Sequence, residues 1–177
     1  IFARSSPMED VAAPVAAIIA AVRAEGDAAL ARYGAQFDGV APSPLQVTTQ
    51  ELEEAMEQVE SRLLSVLKRA AANIRTFHQN QVRSSFLTST GPGVILGQKV
   101  MPIEKVGLYV PGGTARYPST VLMDAIPAKL AGVQDIVLVT PPEKDGSVSP
   151  AALAAAKVAG VDRNFKVGGA QAVAALA

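Results

Sequence analysis

The chain contains no cysteine and only one histidine, His78. Without cysteine there is no disulfide scaffold, no thiolate metal site and no cysteine nucleophile. One histidine cannot build a zinc centre from the favoured ligands. Aromatic residues make up only 5% of the chain. Alanine is abundant, so the helices are expected to pack closely through small side chains. Neither sign of charge is in excess, since sixteen basic residues balance sixteen acidic ones. That excludes the electrostatic footprint of a nucleic-acid binder or of a protein held on an anionic membrane. A membrane span is missing from the amino-terminal region as well. The apolar stretch Val11 to Val22 contains Pro14, is too short to cross a bilayer and follows no basic segment.

What is present suits a folded protein. The 177 residues are 49% hydrophobic and 18% charged, enough for one domain or two small ones. Both ends read as cut. The chain starts at Ile1 instead of methionine and stops at Ala177 inside an apolar run, with none of the usual helix-stop residues. The absence of cysteine agrees with a reducing, cytoplasmic setting.

The first third reads as helix. Asp10 to Glu25 has apolar residues at helical spacing, with Pro14 tolerable in the first turn. Asp27 is expected to cap a second helix, Ala28 to Phe37. Val40 to Val47 holds Pro42 and Pro44 and reads as a linker or extended piece. Thr48 and Glu51 are spaced as a capping box, opening a helix from Gln50 to about Val59. A longer helix, Arg62 to about Gln81, carries Leu63, Leu64, Leu67, Ala70, Ile74 and Phe77 on one side, a stripe read as core. Gly91-Pro92-Gly93 predicts a turn between two strands, and Lys99 to Ile103 a further strand.

Near residue 105 the texture changes to alternating strand and helix. Strands are expected at Val106 to Val110, Asp135 to Val139 and Asn164 to Val167. Helices are expected at Pro118 to Leu130, at Pro150 to Ala159 behind a Ser149 cap, and after Gly168-Gly169. The pattern predicts an α/β chain. A helical segment with a β-hairpin (residues 1–104) precedes an incomplete Rossmann-like parallel sheet with helices on its faces (105–177).

Three strand ends then meet at one edge of the sheet. They carry Tyr109 with Pro111-Gly112-Gly113, Thr140-Pro141-Pro142, and Gly168-Gly169-Ala170-Gln171. Glycines there admit close backbone approach, and helix N-termini offer N–H groups to an anion such as a pyrophosphate. The Gln171 amide suits a ribose or a nicotinamide amide. Tyr109 suits stacking or bonding through its hydroxyl. Glycine pairs after strands are also ordinary turn chemistry, and neither G-x-G-x-x-G nor a Walker motif is present, so pattern alone leaves both readings open. Asp124, Arg116, Tyr117 and Ser119 lie near the same edge without a recognisable catalytic pattern. His78 reads as structural or surface. Glu51, Glu53, Glu54, Glu57 and Glu60 read as a solvated helix face.

The literal strings go further. VGLYVPGGTARYPSTVLMDAIPAKLAGV (106–133) closely resembles the corresponding segment of the histidinol dehydrogenases. AEGDAALARYGAQFD (24–38), NIRTFHQ (73–79), IVLVTPP (136–142) and VGGAQAVAAL (167–176) resemble further landmarks of that family in the same order. The resemblance implies a homodimeric zinc- and NAD-dependent enzyme with an aldehyde-dehydrogenase-like fold. It would oxidise L-histidinol to L-histidine through L-histidinaldehyde, at the end of histidine biosynthesis. By motif position, Tyr109 and Gln171 match residues that contact NAD. The family's zinc ligands and acid–base pair have no counterpart in this chain, which is therefore expected to hold the cofactor side and to be inactive alone. A related dehydrogenase of another alcohol, such as a sulfonated diol, and a non-catalytic module are the competing readings.

Overall fold

A computed structural model describes residues 11–112 and 116–177. Four helices come first: α1 (Ala12–Glu25), α2 (Asp27–Phe37), α3 (Thr49–Gln58) and α4 (Ser61–His78). An antiparallel hairpin follows, β1 (Phe86–Gly91) and β2 (Val94–Gln98). The rest alternates: β3 (Lys105–Tyr109), α5 (Pro118–Ala131), β4 (Asp135–Thr140), α6 (Pro150–Ala159), β5 (Arg163–Lys166) and α7 (Gly169–Leu176). The three later strands form one parallel sheet in the order β3-β4-β5.

The sheet has helices on both faces because alternate strand residues are apolar on both sides. Leu108, Val110, Ile136 and Leu138 point to one face, where they join Val121, Leu122, Ala125 and Ile126 of α5 and Ala155 and Ala156 of α6. Behind these, α4 adds Leu67 and Ala71 to the same cluster. Tyr109, Val139, Phe165 and Val167 lie on the other face with Val22 of α1, Leu30 of α2 and Ala172 of α7. Small residues make the close packing. Ala154, Ala155 and Ala156 are fully buried. A Cβ on Gly107 of β3 would lie 2.7 Å from the Leu176 side chain of α7, so that strand position has no room for a side chain.

The Thr48–Glu51 capping box forms as its spacing predicts. Glu51 N–H donates to the Thr48 hydroxyl at 3.1 Å, and the Glu51 carboxylate accepts from Thr48 N–H at 2.7 Å. Two other expected caps differ. Gly26 (φ 57°) is the N-cap of α2, and Asp27 is its first helical residue, where its charge still suits the helix dipole. Ser149 does precede α6, but it uses its backbone carbonyl, which accepts from Ala152 and Leu153 N–H; its buried hydroxyl has no partner.

The segment before α3 bends at residues 43–45 and is then tied to the sheet by a bridge from Gln46 to Phe165. Val47 N–H donates to Asn164 O at 2.9 Å, and Lys166 N–H donates to Leu45 O at 2.8 Å. Residues 99–103, expected as a strand, have no regular structure; Pro102 lacks the N–H that a ladder needs. The α4 stripe is only partly core. Leu67 is buried and Leu64, Ala70 and Ile74 lie against the cluster, but Leu63 is 37% and Phe77 65% exposed. A straight helix turns its ends away from a compact layer, and Phe77 lies in the last turn.

Candidate functional site

The helices change faces along this sheet. α5 and α6 cover one side, whereas α7, after β5, crosses back over β3 on the other. The carboxyl end of β3, between the starts of α5 and α7, is the kind of place where open α/β sheets bind ligands. Three loops leave that edge, and Pro141 stands between the other two. A Cβ on Gly112 would come within 3.2 Å of Pro141, and one on Gly168 within 2.5 Å. Gly168 is therefore required by close approach, whereas Gly112 leaves a tight fit that a shift of a few tenths of an ångström would relieve. Gly113 lies outside the described residues.

Tyr109 is the last residue of β3. Its ring packs in the α1–α2–α7 cluster, and its hydroxyl accepts from Gly169 N–H at 3.2 Å. This satisfies one of the free donors at the start of α7 and leaves the hydroxyl proton available to a ligand. Gln171 lies in the first turn of α7 and is 1% exposed. Neither its Nε2 nor its Oε1 has a hydrogen-bond partner. A buried primary amide without partners costs about 1–3 kcal/mol per unmet group, which marks the position for a polar ligand. Gly169 (φ 67°) lies directly against this amide. Tyr109 and Gln171 are thus brought together at one helix start from strands two places apart.

The other candidates fall around the rim or away from it. Arg116 Nη2 pairs with Glu143 Oε1 at 3.2 Å, joining the β3–α5 loop to the β4–α6 loop. Tyr117 is the exposed N-cap of α5, and Ser119 is exposed in its first turn. Asp124 is half-buried, and that burial raises its pKa. His78 is remote in sequence and role. It closes the end of α4, with Nδ1 2.6 Å from Gln81 Oε1 and its ring edge-on to Phe77.

Glu51 is the one helix-face carboxylate that the sequence misjudged. Besides capping α3 it binds Lys166 Nζ at 2.6 Å, and Lys166, at the end of β5, is 5% exposed. Burial acts to raise the Glu51 pKa, but Lys166 and the Thr48 hydrogen bonds outweigh it and hold the carboxyl below its ordinary value. The capping-box spacing revealed half of this arrangement; the partner lies 115 residues away and has no local signal.

Among the described residues no group of three or more His, Cys, Asp or Glu stands together to hold a metal ion. No described helix is long and apolar enough to cross a membrane. A cleft of about 860 Å³ lies on the α7 face toward the amino ends of the strands. Leu30, Val137, Phe165 and Leu176 line it, and its arginine, Arg163, is tied to Asp135 at 2.6 Å. Size alone does not make it the site, because the unpaired buried amide and the glycine loops stand at the opposite edge.

The model for histidinol dehydrogenase matches residues 3–177. Histidinol dehydrogenase of Methanosarcina barkeri is 48% identical over 178 residues, covering 100% of this chain and 41% of that protein. The enzyme of Geobacillus kaustophilus is 53% identical over 160 residues, covering 90% and 38%. The crystal structure of histidinol dehydrogenase from Elizabethkingia anophelis aligns with a TM-score of 0.92 at 36% identity, covering 96% of this chain and 39% of that one. The chain thus spans about two fifths of the length of the relatives it matches. The family match runs over residues 3–177, and the chain belongs to the histidinol dehydrogenase family.

Proposed function

We propose that this chain forms the cofactor side of an NAD-dependent enzyme that oxidises L-histidinol to L-histidine through L-histidinaldehyde, the last steps of histidine biosynthesis. The observation that carries the reading is the Gln171 amide, fully buried and unpartnered beside the Tyr109–Gly169 contact. Family membership supplies the reaction; this amide and the glycine cradle around Pro141 supply the fit to a dinucleotide. We place the enzyme in the cytoplasm and expect a homodimer.

In this reading Gln171 holds a polar group of the cofactor through both amide atoms. Tyr109 fixes the first turn of α7 and donates its remaining proton to the same ligand. Gly168 lets the backbone approach where a side chain would collide with Pro141, and Gly112 fits closely beside the same proline. An NAD held by these residues would supply the hydride acceptor. Zinc belongs to the reading through the family, but the described residues do not fit it. No step is derived through the metal, and its ligands and the acid–base residues are assigned to no position of this chain.

The test uses the full chain as its gene encodes it, with NADH counted per L-histidinol consumed, with and without a zinc chelator. Two NADH per histidinol, lost on chelation, are expected; no NADH refutes the proposal. Tyr109→Ala is expected to raise the KM for NAD, and unchanged NAD kinetics would remove Tyr109 from the site.

A further inference from the structure

In a parallel sheet that holds a dinucleotide, an acidic side chain just beyond the second strand is well placed to bond the ribose 2′-hydroxyl. A nearby arginine instead accommodates the 2′-phosphate of NADP. The second strand here is β4, and the first acidic residue after it is Glu143, three residues past Thr140. Its position is fixed by a tight turn. Glu143 N–H donates to Ser147 O at 2.8 Å, Gly146 N–H donates to Glu143 O at 2.9 Å, and the Asp145 carboxylate accepts from the Ser147 backbone and hydroxyl. The turn holds Glu143 against Arg116, 3.2 Å away, and both side chains stay about half exposed. These are the two opposing groups that discriminate one dinucleotide from the other, brought together from different loops. Arg116 lies four residues after Gly112, and Glu143 two residues after Pro141.

We infer that Glu143 reads the ribose 2′-hydroxyl of the cofactor, and that by neutralising Arg116 it selects NAD against NADP. The inference rests on the dinucleotide reading above. It deepens that reading by naming what sets the preference. An exposed ion pair is weak, on the order of 1 kcal/mol or less, so Arg116 is not locked away. With the carboxylate gone, its guanidinium is free to meet a phosphate, for which its planar fork is suited.

The test is direct binding, by calorimetric titration of the full-length protein with NADH and with NADPH. The wild type should bind NADH more tightly. In Glu143→Gln the NADH/NADPH preference should narrow by about tenfold to a hundredfold, the size of one charge-assisted hydrogen bond. In Glu143→Gln with Arg116→Ala, the gain in NADPH affinity should vanish. Both residues are exposed, so neither change threatens folding. A preference unchanged within about twofold in Glu143→Gln, or a wild type without preference, overturns the inference while NADH binding leaves the dinucleotide reading standing. A wild type that binds neither nucleotide overturns both.

Discussion

Gly168→Ala tests the geometry of this sheet edge most severely. The backbone at Gly168 (φ −116°) suits any residue, so the whole effect of an added methyl is steric. Its Cβ would lie 2.5 Å from Pro141 Cγ, 2.7 Å from Cβ and 3.1 Å from Cα. Carbon atoms rest at about 3.5–4.0 Å, so the neighbours must part by about 1 Å. The proline ring is rigid and one colliding atom is backbone, so a rotamer change cannot relieve the clash. Overpacking of this kind costs about 1–3 kcal/mol, or about 2–4 °C of Tm per kcal/mol in a domain of this size. The functional loss should be larger than that. Relief moves the start of α7, and with it Gln171 and the Gly169–Tyr109 contact; a misplacement of about 1 Å in a reacting site costs on the order of a hundredfold in rate. Gly91→Ala is the control, since nothing lies within 4 Å of its Cβ and its φ is not positive. The measurements are thermal unfolding and kcat/KM for NAD. A Gly168→Ala protein that matches Gly91→Ala in both would refute the account of this edge.

Glu51→Gln removes the charge facing buried Lys166 and weakens the α3 cap, so it should lower Tm by several degrees at neutral pH. The folded-state pKa of Glu51 is lowered, so its stabilisation is present above the unfolded value and is lost as pH falls through the folded one. The Tm difference between wild type and variant should therefore shrink in acid, and a difference independent of pH would count against the ion pair. Asp162→Asn should act in the same direction. Its carboxylate accepts from Lys129 at 2.7 Å and from Ile136 N–H at 2.9 Å, and although burial opposes it the pKa is lowered; unfolding followed from pH 7 to pH 3 checks this. On the hairpin, Leu87→Ser should change Tm by no more than about 1–2 °C, because Leu87 is 81% exposed and such sites stay within ~0.5 kcal/mol; a large drop would show that Leu87 is covered in solution.

The fold was legible where local rules decide. Proline, glycine and apolar spacing placed α5, α6 and the three parallel strands to within a residue or two of their observed bounds. The Thr48 box is local and forms as spaced. The misses share a different cause. Residues 99–103 have strand-like composition but no ladder partner among the described residues. Phe77 has the right helical phase for the core but lies beyond the layer that α4 covers. Asp27 has good capping chemistry, yet Gly26 takes the cap because only glycine adopts its φ of 57° readily. Local preference proposes an element; what lies opposite in space decides whether it is used.

The candidate site shows the same division. Strand-glycine-helix order placed Tyr109, Gly112, Gly168 and Gln171 at one edge of the sheet without any knowledge of distance. Sequence could not reveal that Pro141 is what makes Gly168 necessary, or that the Tyr109 hydroxyl binds the start of α7 instead of leaving it open. Nor could it reveal the burial of Gln171, which changes the argument. On an exposed helix start a glutamine means little, because water satisfies its amide. Fully buried and unpartnered, the same side chain is a cost that the folded chain bears at one point only of this helix. A polar group held dry beside glycine loops, at the place where the helices change faces, is stabilised by a ligand that brings matching donors and acceptors. The proposed cofactor site rests on this physical chemistry, and Tyr109→Ala tests it.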